Sequence, residues 1–446
     1  MKIPLTPPTL EKILKELPKE VLPNIFGQNP LIKGTYIHWD KLRHLPPPSG
    51  QTAESWWAGI KLARSSLLKS LTLKDKYGAP LQFSTPEPVL KSLHKIDKQA
   101  AGHISMNSPI ATREDKDRYL VSSLIEESIT SSLLEGAATT REVAKQMLRS
   151  GRKPNDTSER MILNNYAAML HIQEIRDTPL SLELILELHS IVTRDTLEKA
   201  DGAGRLRRPD EEIHVVDSSH SQIIFTPPRA EELQTRLEQL CLFANEGDDS
   251  EPFVHPVIRA ILLHFMIGYI HPFVDGNGRT ARAIFYWCMA KQGYWLMEYL
   301  SISRLLFQAP AQYSRAYLYT ETDGNDTTYF ILHQLDIILR AIDALYEYLA
   351  RKVDEQQTAE EFLRKSTALG SELNYRQVAL LGHALKHAGY IYTMESHKRS
   401  HSITYETARR DLLKLAEIGF LEKDKRGKSF IFFAPKNLRE RVIEKA

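Results

Sequence analysis

Apolar residues recur at three- and four-residue steps along most of the chain, a spacing typical of amphipathic helices. Two short β-prone runs, 213–216 and 222–225, flank the polar run 217–221 and predict a β-hairpin. Residues 1–48 are rich in proline and predict an extended arm, and 78–88 predict a loop. We therefore predict a mainly α chain, with helices at 56–71, 118–134, 157–176, 182–197, 256–270, 278–291, 327–351, 375–387 and 405–418.

The length of 446 residues favours two or three domains, and 42% hydrophobic with 26% charged residues is typical of a soluble globular protein. No run approaches the ~18 uncharged apolar residues of a membrane span. Residues 1–23 lack the apolar stretch of a signal peptide. Cys241 and Cys288 lie in apolar helical contexts and are predicted to be packed thiols of a reducing, cytoplasmic protein.

Charge is distributed unevenly along the chain. Residues 361–446 contain 17 Lys and Arg against 10 Asp and Glu, a local charge of +7. Because the whole chain has a formal net charge of +2, the preceding residues together carry −5. This asymmetry separates a basic C-terminal unit from a mildly acidic body. We expect an N-terminal arm and helical extension (1–110), a helical core (111–350), a linker (351–370) and a C-terminal domain (371–446).

The segment most informative about chemistry is residues 271–282, with the sequence HPFVDGNGRTAR. Gly276 and Gly278 permit backbone angles that turn successive N–H groups inward and form a concave anion nest. The helix that begins near Gly278 adds its positive N-terminal end. Arg279 and Arg282 are three residues apart, so both can approach one face of the first turn. Together these features predict a polyphosphate site without a Walker lysine.

Two residues of the same segment have side chains suited to catalysis. Asp275 offers one carboxylate for Mg²⁺, whose other ligands would be phosphate oxygens and water. A neutral imidazole at His271 could take a proton from an attacking hydroxyl, and Phe273 is expected to anchor the loop in the core. An alternative is a zinc site at His264 and His271, seven residues apart, although no HExxH motif or cysteine pair accompanies them.

Residues 271–282 match HxFx(D/E)GNGRxxR at every defined position and resemble the signature of the Fic family. The resemblance extends over about residues 118–349, and it implies a compact helical Fic core with a β-hairpin flap. It also implies that ATP is the co-substrate and that AMP passes to Ser, Thr or Tyr hydroxyls of target proteins while pyrophosphate leaves. Fic proteins often pair and modify themselves, so a homodimer and self-modification are further expectations.

The resemblance also assigns roles to individual residues of the motif. His271 corresponds to the general base and Asp275 to the Mg²⁺ ligand. The residues that would bind the ATP phosphates are Gly276, Asn277, Gly278, Arg279 and Arg282, with Asn277 at the α-phosphate and the arginines at the outer phosphates. The related Doc kinases lack the second glycine of this loop, so Gly278 favours nucleotidyl transfer. A Fic fold that uses another nucleotide or a phosphocholine donor is the alternative, and the intact loop favours ATP.

The predicted hairpin resembles the Fic flap, on which a target strand docks by edge pairing. A purely structural hairpin is the alternative. The flap residues are Ile213, His214, Val215, Val216, Ile223, Ile224 and Phe225. Residues 320–330 resemble a stretch that completes the nucleotide pocket in one Fic subgroup, and Tyr313 and Tyr317 are either adenine contacts or core tyrosines.

An inhibitory segment is suggested by residues 131–136, SSLLEG, which match the family motif (S/T)xxxE(G/N) at Ser131, Glu135 and Gly136. A carboxylate paired with Arg282 would occupy the arginine that holds the γ-phosphate. ATP would then bind with its α-phosphate wrongly oriented for in-line attack. The alternative is an ordinary helix end.

Residues 404–415 resemble the recognition helix of winged helix-turn-helix regulators. Its apolar residues Ala408, Leu412 and Leu415 are expected to pack inward and to leave Arg409 and Arg410 exposed. Arginines placed in this way can contact DNA, and the net charge of this region supports such contact. A protein-docking winged helix or a dimerisation module is an equal alternative. The second function hypothesis is therefore a DNA-binding transcriptional regulator whose Fic core senses or modifies.

Overall fold

The computed structural model describes residues 3–18, 20, 22–101, 113–217, 222–365, 373–386, 389–426 and 429–444. Helices predominate and the strands are short, which confirms the predicted fold class at the level of a mainly helical protein. Within the ranges that the structure describes, none of the helices is long and apolar enough to cross a membrane.

The N-terminal region contains more regular structure than the sequence predicted. Short helices interrupt the predicted extended arm, and the helix predicted at 56–71 ends at Ser65. Leu71 belongs to a strand in which it alternates with exposed neighbours, so its four-residue step from Leu67 was coincidental. A second strand lies within the predicted loop 78–88. The elements are α1 (Leu10–Glu16), α2 (Leu22–Ile25), α3 (Trp39–Leu42), α4 (Ala53–Ser65), β1 (Lys69–Lys74), β2 (Pro80–Phe83) and α5 (Glu87–Ala100), with β1 and β2 antiparallel.

A buried polar cluster joins this N-terminal region to residues 320–330. Arg64 is fully buried, and its guanidinium donates to the hydroxyl of Tyr329 at 2.7 Å and stacks on the ring of Tyr36 at 3.6 Å. The Tyr36 hydroxyl in turn donates to the carboxylate of Asp326 at 2.5 Å. The stretch that the resemblance placed beside the nucleotide therefore also forms the docking surface for the N-terminal extension.

The central helices begin where local capping predicts. Asp156 accepts a hydrogen bond from the Glu159 N–H at 2.8 Å and caps the helix that follows. Every side chain from Val257 to Ile267 is buried, so this helix forms the centre of the core. The helices are α6 (Arg113–Leu134), α7 (Arg141–Ser150), α8 (Thr157–Ile175), α9 (Leu182–Thr193), α10 (Leu233–Asn245), α11 (Pro256–Ile270), α12 (Asn277–Lys291), α13 (Ile302–Gln308), α14 (Pro310–Thr322) and α15 (Thr328–Lys365).

Two further predictions concern the core. Cys241 and Cys288 are both free and buried, which confirms packed thiols. The predicted hairpin is present as β3 (Val215–Asp217) and β4 (Gln222–Phe225), which pair antiparallel with a register shift after Val215. Ile213 and His214 precede β3, so the first strand is shorter than predicted. Of the predicted turn 217–221, residues 218–221 lie outside the described residues.

The C-terminal region forms a second, smaller core. Ala408, Leu412 and Leu415 are fully buried in it, as predicted. A strand and a helix between residues 391 and 401 were not predicted. The elements are α16 (Tyr375–Lys386), β5 (Ile391–Thr393), α17 (Met394–His401), α18 (Tyr405–Glu417), β6 (Glu422–Arg426), β7 (Ser429–Phe433) and α19 (Leu438–Glu444), with the sheet order β5-β7-β6.

The linker predicted at 351–370 is helical where it is described, because α15 continues to Lys365. Residues 366–370 lie outside the described ranges. The C-terminal region contacts the core directly, since Arg399 on α17 donates to the carbonyl of Leu148 near the end of α7 at 2.6 Å.

Candidate active site

The predicted motif segment connects α11 to α12. His271 follows α11 in the left-handed conformation, with φ 50° and ψ 57°. Gly276, with φ 83°, precedes α12, whose first residue is Asn277. A side chain at Gly276 would be strained by its positive φ and would also meet the Cγ2 of Thr193 at 2.5 Å. The loop can therefore form only with glycine at this position.

The imidazole of His271 is held in one tautomer. Its Nδ1 lies 3.1 Å from the carbonyl oxygen of Gly268, and because a carbonyl only accepts, Nδ1 carries the proton. Nε2 then retains its lone pair. Burial lowers the pKa of His271 below its ordinary value, although the Gly268 hydrogen bond and the carboxylate of Glu135 oppose this shift. A neutral imidazole with a free Nε2 is the form that a general base requires.

Side chains within the motif hold the loop together. Asn277 accepts from the Phe273 N–H at 3.0 Å and donates to the Phe273 carbonyl at 2.8 Å. Arg279 is buried and donates to the Val192 carbonyl at 2.9 Å and to Asp275 at 3.0 Å. Both side chains are thus bound within the protein, and their predicted contacts with ATP phosphates stay predictions. Phe273 is fully buried, as expected for an anchor.

The predicted inhibitory glutamate lies at the first turn of α12. A Cβ atom at Gly278 would be 2.1 Å from the Oε1 of Glu135 and 3.1 Å from the Nη1 of Arg282. The carboxylate therefore contacts the backbone where the anion nest was predicted. Gly136, with φ 91°, lies two residues after the end of α6.

Arg282 is the centre of this contact and has three bonds to the inhibitory segment. Its Nε donates to the Ser131 hydroxyl at 2.9 Å, and its Nη2 donates to the Ser131 carbonyl at 3.1 Å and to Glu135 at 2.8 Å. Although burial opposes the charged form, Glu135 keeps the pKa of Arg282 raised. Nη1 is buried and has no hydrogen-bond partner among the described residues. A buried N–H donor without an acceptor at an anion nest suits a phosphate oxygen.

His189 on α9 holds the motif loop through a hydrogen bond to the Asp275 carbonyl and a ring contact with Phe273. Its Nδ1 accepts from the Gly204 N–H at 3.0 Å, so the proton lies on Nε2, which donates to the carbonyl of Asp275 at 2.9 Å. Its ring stacks on Phe273 with centroids 3.7 Å apart and planes 3° apart. Burial lowers the pKa of His189 to about 4, so the ring is neutral at physiological pH.

Arg207 connects the motif loop to the flap, which we define as residues 213–217 and 222–225. Its backbone N–H donates to the carbonyl of Pro272 at 2.9 Å and its Nε donates to the carbonyl of His271 at 2.9 Å. Its Nη2 donates to the carbonyl of Pro228, three residues after β4. The guanidinium thus contacts both the backbone of the candidate base and the segment that follows the flap.

Neither His189 nor Arg207 was predicted as a site residue. His189 follows Leu188 on the apolar face of α9, a position that indicates burial but not a partner. Arg207 lies in the run 205–208, RLRR, whose composition is typical of a solvated surface. Both residues bind backbone carbonyls, and such acceptors have no signature in the sequence.

The flap presents apolar side chains beside this site. Val216 is 47% exposed and Ile223 is 50% exposed, whereas Phe225 is buried and packs on Tyr269 with ring centroids 4.9 Å apart. Tyr269 precedes His271 by two residues on α11. The flap is therefore anchored next to the candidate base and leaves its outer residues available for a partner.

Tyr313 and Tyr317 are partly buried and pack against the core in this structure. The Tyr313 hydroxyl is 2.8 Å from the Nε2 of His264, and the ring of Tyr317 stacks on Phe265 with centroids 4.9 Å apart. His264 thus already has a hydrogen-bond partner. Among the described residues, no group of three or more His, Cys, Asp or Glu side chains is arranged to hold a metal ion, so nothing supports the zinc alternative.

A single carboxylate is nevertheless compatible with Mg²⁺, which proteins bind through one or two carboxylates together with substrate phosphates. The side chain of Asp275 is 55% exposed although it pairs with Arg279. It lies on the same loop as the nest, which is where phosphate oxygens would supply the other ligands. The residues present therefore fit Mg²⁺ bound together with a nucleotide.

The arginines predicted to contact DNA lie on the exposed face of α18. Arg409 and Arg410 are both exposed. Arg409 pairs with Glu406 one turn earlier at 3.0 Å, which reduces the local positive charge. Lys423 to Lys425 of β6 are also exposed, whereas residues 427 and 428 lie outside the described residues.

Sequence comparison relates this site to known proteins. Residues 179–289 match the family model described as Fic/DOC family. The chain is 33% identical over 117 residues to protein adenylyltransferase fic-1 of Caenorhabditis elegans, which covers 26% of this chain and 20% of that protein. It is 26% identical over 208 residues to protein adenylyltransferase Fic of Drosophila ananassae, which covers 46% of this chain and 39% of that protein. The matches thus span less than half the length of either relative.

One solved structure that aligns with this chain is that of a Fic family protein from Desulfovibrio desulfuricans G20. That crystal structure aligns with 78% of this chain and 96% of its own chain, at 16% sequence identity and a TM-score of 0.48.

Proposed function

We propose that the protein transfers AMP from ATP to Ser, Thr or Tyr hydroxyls of target proteins and of itself, on the premise that residues 179–289 match the Fic/DOC family model. The observation that carries this proposal is the imidazole of His271. Its proton is on Nδ1, its pKa is lowered, and Nε2 is free beside a glycine loop that opens a helix. This is a general base next to an anion site.

The transfer follows from this arrangement. The hydroxyl oxygen of the target attacks the α-phosphorus of ATP while its proton passes to the Nε2 of His271. The bond from the α-phosphorus to the bridging oxygen breaks, and pyrophosphate leaves with the electron pair. A phosphodiester then joins AMP to the target side chain, and His271 returns its proton to solvent.

Phosphate binding is supported by the donors at the start of α12. The nest formed by residues 276–278 offers backbone N–H groups and the positive helix end. Arg282 offers a buried Nη1 without a partner in the described part of the chain. Bound Mg²⁺, with Asp275 as its protein ligand, would supply neutralisation of the phosphate charge.

We further propose that Glu135 inhibits the transfer in the same chain. Its carboxylate pairs with Arg282 and lies against Gly278, the place that phosphate oxygens require. Two like charges cannot share this site without a large cost. ATP that enters while Glu135 remains in place is displaced, so its α-phosphorus is misaligned for attack by a hydroxyl.

The flap is the proposed docking site for the target. Edge pairing with an extended segment requires only free backbone groups on one strand. The exposed side chains of Val216 and Ile223 would contact the target, and the anchored Phe225 keeps the hairpin beside His271.

The test uses α-labelled ATP with Mg²⁺ and the purified wild type, Glu135→Gln and Glu135→Gln with His271→Ala. Glu135→Gln keeps the shape of the side chain and removes its charge. Label on protein should therefore increase by about 100-fold, because ATP would no longer be displaced from the position that attack requires. The added His271→Ala should abolish it. Glu126→Gln is the matched control. Glu126 lies on the same helix, but it accepts a hydrogen bond of 3.2 Å from Arg141 and does not contact the nest.

Label that is equal in Glu135→Gln and Glu126→Gln would reject inhibition by Glu135. Label that persists after His271→Ala would reject the general base. ATP binding without label in any variant would reject AMP transfer to the chain itself and would favour another donor.

A second candidate function, DNA binding, is favoured by the C-terminal fold. The order helix, strand, helix, helix and hairpin, closed by a sheet of order β5-β7-β6, supports a winged helix with α18 as its recognition helix. Arg409→Ala with Arg410→Ala should abolish a mobility shift on duplex DNA and reduce its salt dependence. Lys436→Ala with Arg439→Ala, outside α18, is the control of equal charge. The absence of any shift by the wild type at low salt would reject this function.

A further inference from the structure

We propose that Arg207 is a positioning residue for His271 and that it couples the flap to the candidate base. The proposal rests on the AMP transfer proposed above. Arg207 is only 8% exposed, and its three hydrogen bonds end on backbone carbonyls of two separate segments. Two of these carbonyls belong to His271 and Pro272, and the third belongs to Pro228 beyond the flap.

The backbone of His271 needs such support. A φ of 50° places it in the left-handed region, which a residue with a Cβ atom adopts reluctantly. Such conformations persist when the surroundings impose them. On the N-terminal side, the His271 N–H donates to the carbonyl of Ile267 at 3.0 Å and belongs to α11. On the C-terminal side, Arg207 fixes the orientation of the next two carbonyls, and with them the direction of the imidazole.

The same guanidinium also donates to the segment that follows the flap. Pro228 ends the segment that leaves β4, and the carbonyl of Thr226 in that segment accepts from the Nζ of Lys76 at 2.8 Å. Phe225 packs on Tyr269 in the last turn of α11. A target strand that pairs with the flap therefore acts on both ends of the arrangement that holds His271. Docking of a target and alignment of the base are thus linked through one side chain.

Arg207 has a second effect on His271, through its charge. Among the described charged groups, Glu135 on α6 and Asp275 in the motif loop raise the pKa of His271, whereas Arg207 adds to the lowering by burial. Loss of the guanidinium should therefore raise the pKa of His271 as well as release its backbone. A lysine would retain the charge but could not donate to both the His271 and the Pro228 carbonyl in a planar arrangement.

Arg205 provides a matched control on the same segment. It also engages in a strong local interaction, a bidentate pair with Glu211 at 2.7 and 2.8 Å. Its bonds within the described residues are to Asp201, Leu206 and Glu211, so it does not touch the motif loop or the flap. A loss of general stability should affect Arg205 and Arg207 variants alike.

The experiment compares Arg207→Met, Arg207→Lys, Arg205→Met and Arg205→Lys in the Glu135→Gln protein. We would measure the rate of self-labelling at saturating ATP, the ATP concentration for half-maximal rate, and the pKa of His271 by NMR with ¹³C-labelled histidine. Arg207→Met should lower the rate by about 100-fold, the scale of a misplacement near 1 Å. It should change half-saturation by less than about threefold and raise the pKa of His271.

Arg207→Lys should lower the rate without raising the pKa, and both Arg205 variants should keep the rate and the pKa of the parent. The proposal is overturned if Arg207→Met, folded by circular dichroism, matches Arg205→Met in rate and pKa. If Arg207→Met does not fold, Arg207→Lys decides the question by its rate. If the Glu135→Gln parent itself transfers no label, AMP transfer fails, and the NMR comparison alone decides whether Arg207 positions His271.

Discussion

Two buried arginines of α12, Arg279 and Arg282, lie one turn apart and bind different parts of the chain. Arg279 binds the Val192 carbonyl and Asp275, so it belongs to the internal framework of the motif loop. Arg282 binds Ser131 and Glu135, which lie about 150 residues earlier on another helix. Similar burial therefore conceals different roles, since one arginine is committed to the fold and the other has partners that a ligand can replace.

The largest expected effect on activity comes from Arg282. In the Glu135→Gln protein, Arg282→Met should lower self-labelling by roughly 100- to 1,000-fold, because a donor aimed at developing charge is lost from a buried site. Its effect on the free energy of unfolding should be below about 2 kcal/mol, since the Glu135→Gln background has no carboxylate at this position to be left buried and unpaired. Labelling with α-labelled ATP and urea denaturation measure the two quantities. A variant that loses stability in proportion to activity would place Arg282 in the framework after all.

Substitution of Arg279 should lower the stability of the protein more than it lowers activity through loss of an ATP contact. Arg279→Met removes two hydrogen bonds made by a buried charged group, which should cost about 3 kcal/mol in the free energy of unfolding. The loss should be the same in the wild-type and Glu135→Gln backgrounds, because Arg279 does not contact α6. Urea denaturation of Arg279→Met and its parent, in each of the two backgrounds, measures this loss of stability. If Arg279→Met lowers labelling without loss of stability, the predicted contact of Arg279 with outer phosphates is favoured over the framework role.

The difference between the two arginines also explains how far the sequence could predict this site. The turn at Gly276 and the start of α12 were predictable because glycine conformations and helix ends are local properties of residues 276–282. The contact of Glu135 with Arg282 joins segments far apart in the chain, and only the resemblance to a family motif connected them. From its spacing alone, Arg279 was expected beside Arg282, and the structure shows its guanidinium bound to α9 and to its own loop.

Other features were not predictable for a related reason. His189 and Arg207 act on backbone carbonyls of Asp275, His271 and Pro228, and any residue type supplies such an acceptor. In the N-terminal region, the helical spacing of apolar residues continued by chance into β1. Local patterns therefore predicted most of the core helices, whereas contacts between distant segments required the structure.

Ser131 should have a smaller effect than either arginine. Ser131→Ala removes the acceptor for the Nε of Arg282 and leaves Glu135 in place, so it weakens the inhibitory contact by about 1 kcal/mol. Self-labelling of the otherwise wild-type protein should then increase by roughly fivefold. Ser132→Ala is the control, because the Ser132 hydroxyl bonds within α6 and to Asn165 on α8. An equal increase in both variants would indicate general loosening of α6.

The smallest expected effect is electrostatic and concerns His271. The negative charge of Glu135 favours the imidazolium and therefore raises the pKa of His271 against the dominant effect of burial. Glu135→Gln removes that charge, so the pKa should fall further below its ordinary value, and the neutral base should persist to lower pH. NMR titration of His271 in the wild type and in Glu135→Gln measures the shift, and Glu126→Gln should leave it unchanged. A pKa that stays constant or rises in Glu135→Gln would mean that the carboxylate is not held beside the base, and the Arg282 contact would then lose its proposed inhibitory role.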